Sequence, residues 1–276
     1  MCGTCGCSDT ENAVTITDPE SGETKILRHG GLHQQDDHST HNHDHHHSHE
    51  GDDEPHTHGP NGEIITLEAA ILSKNDGIAA QNRAWFAGRG VLALNFVSSP
   101  GAGKTTLLER TIREVNNKFP ISVIEGDQMT SNDAERIRAA GAKAVQINTG
   151  AGCHLEADMI RDATQELNPP SGSLLIIENV GNLVCPAMFD LGEHKKVAVI
   201  STTEGEDKPL KYPHMFRASE LVLINKIDLS PHVDFDEELC RKNILEVNPS
   251  AKIIGVSAKT GEGFSDWISQ IDLEFR

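Results

Sequence analysis

The chain has 276 residues, fifteen histidines, six cysteines and a formal charge of −18. That length suits one large α/β domain with an appendage, and the acidity excludes general nucleic-acid affinity, which requires a basic surface. No run of about eighteen apolar residues occurs and no secretory leader is evident, so no membrane span is expected; the cysteines do not suit a disulfide scaffold, which leaves a reducing cytoplasm as the expected compartment.

Residues 1–62 carry twelve acidic side chains against Lys25 and Arg28, and almost no large apolar ones. Such a segment cannot bury enough surface to offset chain entropy, so 1–62 is expected to be a mostly disordered metal-binding tail and 63–276 one folded domain. The tail opens with Cys2-x-x-Cys5-x-Cys7, three thiols on a glycine-flexible loop that can wrap one ion, with the α-amine available as a fourth donor. Further on, "HSTHNHDHHHSHE" sets His41, His43, His45, His46, His47 and His49 close together. Neutral imidazoles suit Zn²⁺, Ni²⁺ and Cu²⁺, and this spacing yields many overlapping weak sites, which fits storage better than one defined centre.

From Ile64 to Phe86 the apolar residues follow helical spacing. Apolar runs then recur at Val91–Val97, Ile121–Ile124, Ala144–Ile147, Leu174–Ile177, Val197–Ile200, Leu221–Ile224 and Ile253–Val256. Segments long enough for helices separate most of them: Thr105–Phe119, Asn132–Ala140, His154–Leu167, Asp236–Glu246 and Phe264–Leu273. Short continuous apolar strands alternating with helices predict an α/β domain whose mostly parallel central sheet is covered by helices on both faces.

The first of these strands runs into "SSPGAGKTT". Pro100, Gly101, Ala102, Gly103, Lys104, Thr105 and Thr106 form a P-loop: the glycines let backbone N–H groups curl around phosphates, Lys104 reaches the terminal oxygens, and the Thr105 hydroxyl is placed for Mg²⁺. Ser98 stands where the motif's first glycine is usual, which leaves the loop's conformation open. "LVLINKID" ends another strand in Asn225-Lys226-Ile227-Asp228, which resembles the NKxD base reader. A carboxylate accepts two parallel hydrogen bonds, and guanine, unlike adenine, offers two neighbouring donors, so Asp228 selects GTP. Ser257, Ala258 and Lys259 at the last strand end resemble the SAK element that closes over the base. Asp127, ending "VIEGD", and Glu178, in Glu178-x-x-Gly181, are the candidate acids near Mg²⁺. With Lys104 and Thr105 they form the candidate catalytic set for hydrolysis of GTP to GDP, expected to be slow because no residue is recognisable as orienting the attacking water.

"TGAGCHLEAD" reads either as a glycine turn opening a helix or as a metal site at the helix's first turn, with Cys153 and His154 as ligands. Cys185 lies four positions beyond Gly181, on the segment expected to sense the γ-phosphate. His194, His214, His232 and Cys240 are assigned no role.

Together, the guanine-reading P-loop domain, the CxxCxC terminus, the histidine tail and the Cys153-His154/Cys185 set resemble the HypB family of hydrogenase nickel-incorporation GTPases over essentially the whole chain. The resemblance implies a SIMIBI-type G domain that forms a GTP-dependent homodimer. It also implies a nickel site, open to Zn²⁺, built from Cys153, His154 and Cys185 at or near the dimer interface, and an N-terminal nickel site at Cys2, Cys5 and Cys7. Implied partners are a small nickel- and zinc-binding maturation protein and the hydrogenase large-subunit precursor. Two alternatives stay open: an accessory GTPase for another nickel enzyme such as urease, or a metal buffer whose G domain regulates assembly. Whether the G-domain site closes within one chain or across two is also open.

Overall fold

The structure is a computed structural model that describes residues 14–18, 21–26, 56–58, 64–127, 132–150 and 152–275. In chain order it begins with β1 (Thr15–Thr17), β2 (Thr24–Ile26), β3 (His56–His58), β4 (Ile64–Thr66) and α1 (Leu67–Arg89). There follow β5 (Leu92–Ser98), α2 (Lys104–Val115), β6 (Ile121–Asp127), α3 (Asn132–Ala139), β7 (Lys143–Asn148) and α4 (Ala157–Leu167). Next come β8 (Leu174–Glu178), the short α5 (Cys185–Met188), β9 (Lys195–Ser201), α6 (Lys208–Lys211) and α7 (Pro213–Arg217). The chain closes with β10 (Leu221–Asn225), α8 (Glu237–Val247), β11 (Lys252–Val256) and α9 (Phe264–Glu274).

Strands β5 to β11 form a parallel sheet in the order β11-β10-β9-β5-β8-β6-β7. Alternate residues of each strand enter opposite cores, which is why the strands read as unbroken apolar runs. On one face Leu94, Phe96, Val123 and Ile176 pack against Leu108 and Ile112 of α2, Ile137 of α3 and Trp267 of α9. On the other, Ala93, Ile124 and Ile177 meet Phe86 of α1 and Ile160 of α4, while Ala198, Ile200 and Val222 meet Phe216 of α7 and Ile244 of α8. The doubly covered P-loop architecture expected from the sequence is the one observed. All seven strands point their C-terminal ends to one edge, where ligands of such sheets collect.

Within the segment expected to be mostly disordered, β1 and β2 form a hairpin that adds antiparallel to β7, with Ile16 opposite Ile147 and only 4% exposed. Main-chain pairing to a free sheet edge plus one apolar anchor suffices here, and a composition averaged over 62 residues hides it. The helix expected from Ile64 begins at Leu67, because Ile64–Thr66 pairs with His56–His58. And α4 begins at Ala157 with Glu156 as its N-cap, so Cys153 and His154 lie in the loop before the helix, not in its first turn.

Candidate nucleotide and metal sites

Strand β5 ends at Ser98, and the loop that follows turns through Gly101 (φ 77°) and Gly103 (φ 90°), left-handed conformations that cost glycine nothing. At Gly103 a Cβ would also come within 2.8 Å of the Asn225 amide nitrogen. Ser98 is accommodated because it is still strand: its hydroxyl donates to the Ser99 carbonyl at 2.7 Å and accepts from Lys104 Nζ at 2.8 Å. Desolvation holds the Lys104 ammonium below its ordinary pKa against the pull of Glu178, Glu204, Asp133 and Asp127. Ser99 donates its hydroxyl to Glu204, which also caps the turn after β9 by accepting from Ser201 N at 2.9 Å. Glu204 thereby ties the phosphate loop to the neighbouring strand end.

Thr105 Oγ1, in the first turn of α2, lies 2.9 Å from Glu178 Oε1 and 3.1 Å from Asp133 Oδ2. Glu178 is 5% exposed and its other oxygen is buried without a hydrogen-bond partner. Burial raises its carboxyl to about 6, opposed by Lys104 and the Thr105 bond. Glu125 is pushed up to about 9, first by burial and then by the neighbouring Glu178, Asp133 and Asp127. Glu178 and Asp133 both face the Thr105 hydroxyl, with buried, unpartnered oxygens on Glu178 and Glu125 nearby, and carboxylate and hydroxyl oxygens are donors of the hard kind that Mg²⁺ takes.

The candidate base-reading residues come from two loops. Asn225, 1% exposed, donates to the Ala102 carbonyl at 2.9 Å and accepts from Ala258 N at 3.4 Å, so it clamps the phosphate loop to the Ser257–Lys259 loop. Lys226 (φ 63°) lays its side chain over the phosphate loop and donates to the Gly101 carbonyl at 2.8 Å. Asp228 accepts from the Ser257 hydroxyl at 2.6 Å, and Arg110 of α2 reaches the Ala258 and Lys259 carbonyls at 3.4 Å.

Cys153, His154 and Cys185 come together within a single chain. The two Sγ atoms and a His154 ring nitrogen lie within 4.8 Å of one another, all half-buried. Cys153 Sγ is 3.0 Å from Cys185 Sγ and 3.6 Å from His154 Nδ1. Ligands sharing one ion at about 2.0–2.3 Å are at most about 4.6 Å apart, so the three fit one transition metal with little adjustment. His154 stacks on Phe189, ring centroids 4.0 Å apart, and its buried Nε2 faces Glu156 at 3.6 Å without a hydrogen-bond partner. Helix α1 holds both ligand loops from below: Asn75 binds Ala157 N and the Asp190 carbonyl, and Asn82 binds the Ala157 and Leu191 carbonyls. Among the described residues no other group of three such ligands is close enough to share an ion. Cys2, Cys5, Cys7, His41, His43, His45, His46, His47 and His49 lie outside the described residues.

Reading the sequence missed Glu125, Asp133, Glu204, Arg110 and Phe189. Each meets the site only through a long-range contact, and none belongs to a motif of fixed spacing.

A family model described as CobW/HypB/UreG, nucleotide-binding domain, matches residues 92–255, from β5 into β11. The hydrogenase maturation factor HypB of Rhizobium leguminosarum bv. viciae is 60% identical over 210 residues, 76% of this chain and 70% of that protein. HypB of Escherichia coli (strain K12) is 54% identical over 227 residues, 81% of this chain and 78% of that one. Among solved structures, HypB from Archaeoglobus fulgidus superposes with a TM-score of 0.70 at 41% identity, covering 74% of this chain and 100% of its own. HypB from Helicobacter pylori in complex with nickel gives 0.70 at 39% identity, covering 74% and 95%. Fold and sequence agree over about three quarters of the chain, and the chain belongs to the HypB family of hydrogenase maturation factors.

Proposed function

We propose that this chain is a GTP-hydrolysing nickel metallochaperone, storing nickel on its N-terminal tail and delivering it during maturation of [NiFe]-hydrogenase. The observation that carries this reading is the meeting of Cys153, His154 and Cys185 within 4.8 Å, with Cys185 only four residues beyond Gly181, which abuts Pro100 of the phosphate loop.

In this reading the phosphate loop amides and Lys104 hold the β- and γ-phosphates, and Lys104 exchanges its bond to Ser98 for a phosphate oxygen. Thr105, Asp127 and Glu178 would hold Mg²⁺, which supplies charge neutralisation at the phosphates. Asp228, steadied by Ser257, accepts from the two guanine donors, Lys226 packs beside the base, and Ala258 and Lys259 close over it. Loss of the γ-phosphate shifts the Glu178–Cys185 segment. A displaced Cys185 removes one thiolate from the site and lowers its hold on the ion. Thiolate and imidazole ligands take Ni²⁺, Zn²⁺ and Cu²⁺ alike; nickel is favoured by the nickel-bound Helicobacter pylori relative. GTP-dependent homodimerisation completes the control. Cys2, Cys5 and Cys7 form a second nickel site, and the tail histidines buffer further ions. The partners are a small nickel- and zinc-binding maturation protein and the hydrogenase large-subunit precursor, in the cytoplasm. A relative from Helicobacter pylori, 42% identical over 208 residues, is named a hydrogenase/urease maturation factor, which favours urease as a second acceptor for the same site.

The test is Ni²⁺ titration of the C2S/C5S/C7S chain and of the same chain with C185A, each with GDP and with a non-hydrolysable GTP analogue. Sulfur-to-nickel charge-transfer absorption then reports the G-domain site without the tail histidines. The C185A chain should hydrolyse GTP yet lose the nucleotide dependence of its nickel affinity. A nucleotide-dependent affinity that survives C185A would sink the mechanism.

A further inference from the structure

The two halves of the metal cluster sit on separate segments: Cys153 and His154 in the loop before α4, and Cys185 at the first position of the four-residue α5. Beneath them runs one buried polar chain. Asn179, next to Glu178 and 1% exposed, accepts at Oδ1 from Leu155 N (3.3 Å), beside His154, and from Val180 N (3.0 Å), beside Gly181. Its Nδ2 donates to Asn95 Oδ1 at 3.3 Å, and Asn95 Nδ2 donates to Glu193 Oε1 at 3.0 Å. Glu193 also takes Leu191 N at 2.7 Å and faces Lys196 Nζ at 3.5 Å. Lys196 Nζ, in turn, donates to the Pro186 carbonyl at 2.9 Å and the Phe189 carbonyl at 3.2 Å, gripping the short helix that begins at Cys185.

The donor direction along this chain is fixed. An ammonium only donates, a carboxylate only accepts, and two backbone N–H groups force Asn179 to present its oxygen to the loop. Asn95, Asn179, Glu193 and Lys196 are 0–7% exposed. A buried Lys–Glu pair is a poor way to gain stability, since apolar replacements are often neutral or better, whereas a satisfied network specifies one arrangement. The arrangement specified here is the separation of the His154 and Cys185 segments, and the chain's first member, Asn179, adjoins the residue that touches Thr105.

We propose that the Asn179–Asn95–Glu193–Lys196 chain is a positioning relay: it sets the spacing between the two halves of the metal site and carries displacement of the Glu178–Gly181 segment to both. This rests on reading Cys153, His154 and Cys185 as nickel ligands. Asn95 is the cleanest place to cut it, because it lies in the middle of β5 and belongs to neither the nucleotide site nor the ligand set. In the full-length C2S/C5S/C7S chain, Ni²⁺ affinity is measured by sulfur-to-nickel absorption with GDP and with the GTP analogue, alongside nucleotide affinity and the melting midpoint. N95A should move the ratio of the two nickel affinities about 2- to 30-fold toward unity, with nucleotide affinity unchanged. A folded N95A chain that keeps the parent's ratio overturns the relay alone. Should N95A fail to fold, E193Q, which keeps an acceptor for Asn95 and gives up the charge facing Lys196, must shift the same ratio; a parent-like ratio there overturns the relay equally. A parent chain with no sulfur-to-nickel absorption, or with equal affinity in both nucleotides, removes the ligand or coupling reading and the relay with it.

Discussion

Gly181 lies so close to Pro100 that a Cβ on the glycine would stand 3.2 Å from the proline's backbone nitrogen and Cα. The segment leading to Cys185 therefore presses directly on the phosphate loop, and a side chain at 181 must push that loop aside. G181A should lower GTP turnover about tenfold, because displacement of a few tenths of an ångström at the loop misaligns the transferring phosphate. Phosphate release at saturating GTP measures it; an unchanged kcat would mean the contact carries no functional constraint.

What could be read in advance followed from spacing. The phosphate loop, the NKxD and SAK elements and the alternation of apolar runs with helices are each encoded in consecutive residues, and the structure places them as that encoding implies. Asp133 beside Thr105, Glu204 beneath Ser99 and Phe189 against His154 are products of tertiary packing between segments dozens of residues apart, with no local periodicity to announce them. Cys185 was recognisable from its distance to Gly181, but its four-residue helix was not, since one turn leaves no amphipathic pattern. The glycine pair before Cys153 and His154 resembles a helix start, whereas Glu156 is the N-cap and the two residues precede the helix.

Asp228 is held by the Ser257 hydroxyl at 2.6 Å, which fixes one carboxylate oxygen and leaves the carboxylate aimed for paired donors. D228N replaces one acceptor by a donor, so it should cost GTP affinity about 100-fold or more, while a base with a carbonyl in place of guanine's amino group, xanthine, gains. Competition between GTP and XTP for a fluorescent nucleotide reads both effects. Equal losses for the two nucleotides would show that Asp228 shapes the loop without reading the base.

The three described cysteines differ in chemistry. Cys240 is fully buried and burial pushes its thiol up to about 12, so almost no thiolate exists at pH 8. Cys153 and Cys185 are half-buried and face each other. Iodoacetamide at pH 8, followed by peptide mass spectrometry, should label Cys153 and Cys185 and spare Cys240 in the native chain, and Ni²⁺ should protect the first two. Labelling of Cys240 at a comparable rate, or no protection by nickel, would contradict the cluster.

The β1–β2 hairpin extends the sheet beyond β7, with Thr15 paired to Asn148 at the root of the loop that carries Cys153. Among its described residues Ile16 is the buried apolar anchor, in the core that contains Ile147 and Met159, with the half-buried Val14 packed beside it. Removing that side chain forfeits burial worth about 2 kcal/mol or more, but among the described residues the hairpin is joined to the domain only by a three-residue ladder, the half-buried Val14 and the Lys25–Glu166 pair, so the loss falls on local detachment and not on global unfolding. I16A should therefore raise amide exchange at residues 15–17 and at the β7 positions they pair with by roughly 30-fold, the factor equivalent to about 2 kcal/mol. Exchange across β5, β8 and β9 should stay as in the parent. Uniform acceleration through the sheet would show instead that the hairpin is an integral part of the folding unit, and unchanged protection at 15–17 would show that main-chain pairing alone holds it. Local detachment would leave an open edge at β7, where unpaired backbone groups invite association between copies of the chain, so sedimentation of I16A over a concentration series should reveal self-association that the parent lacks.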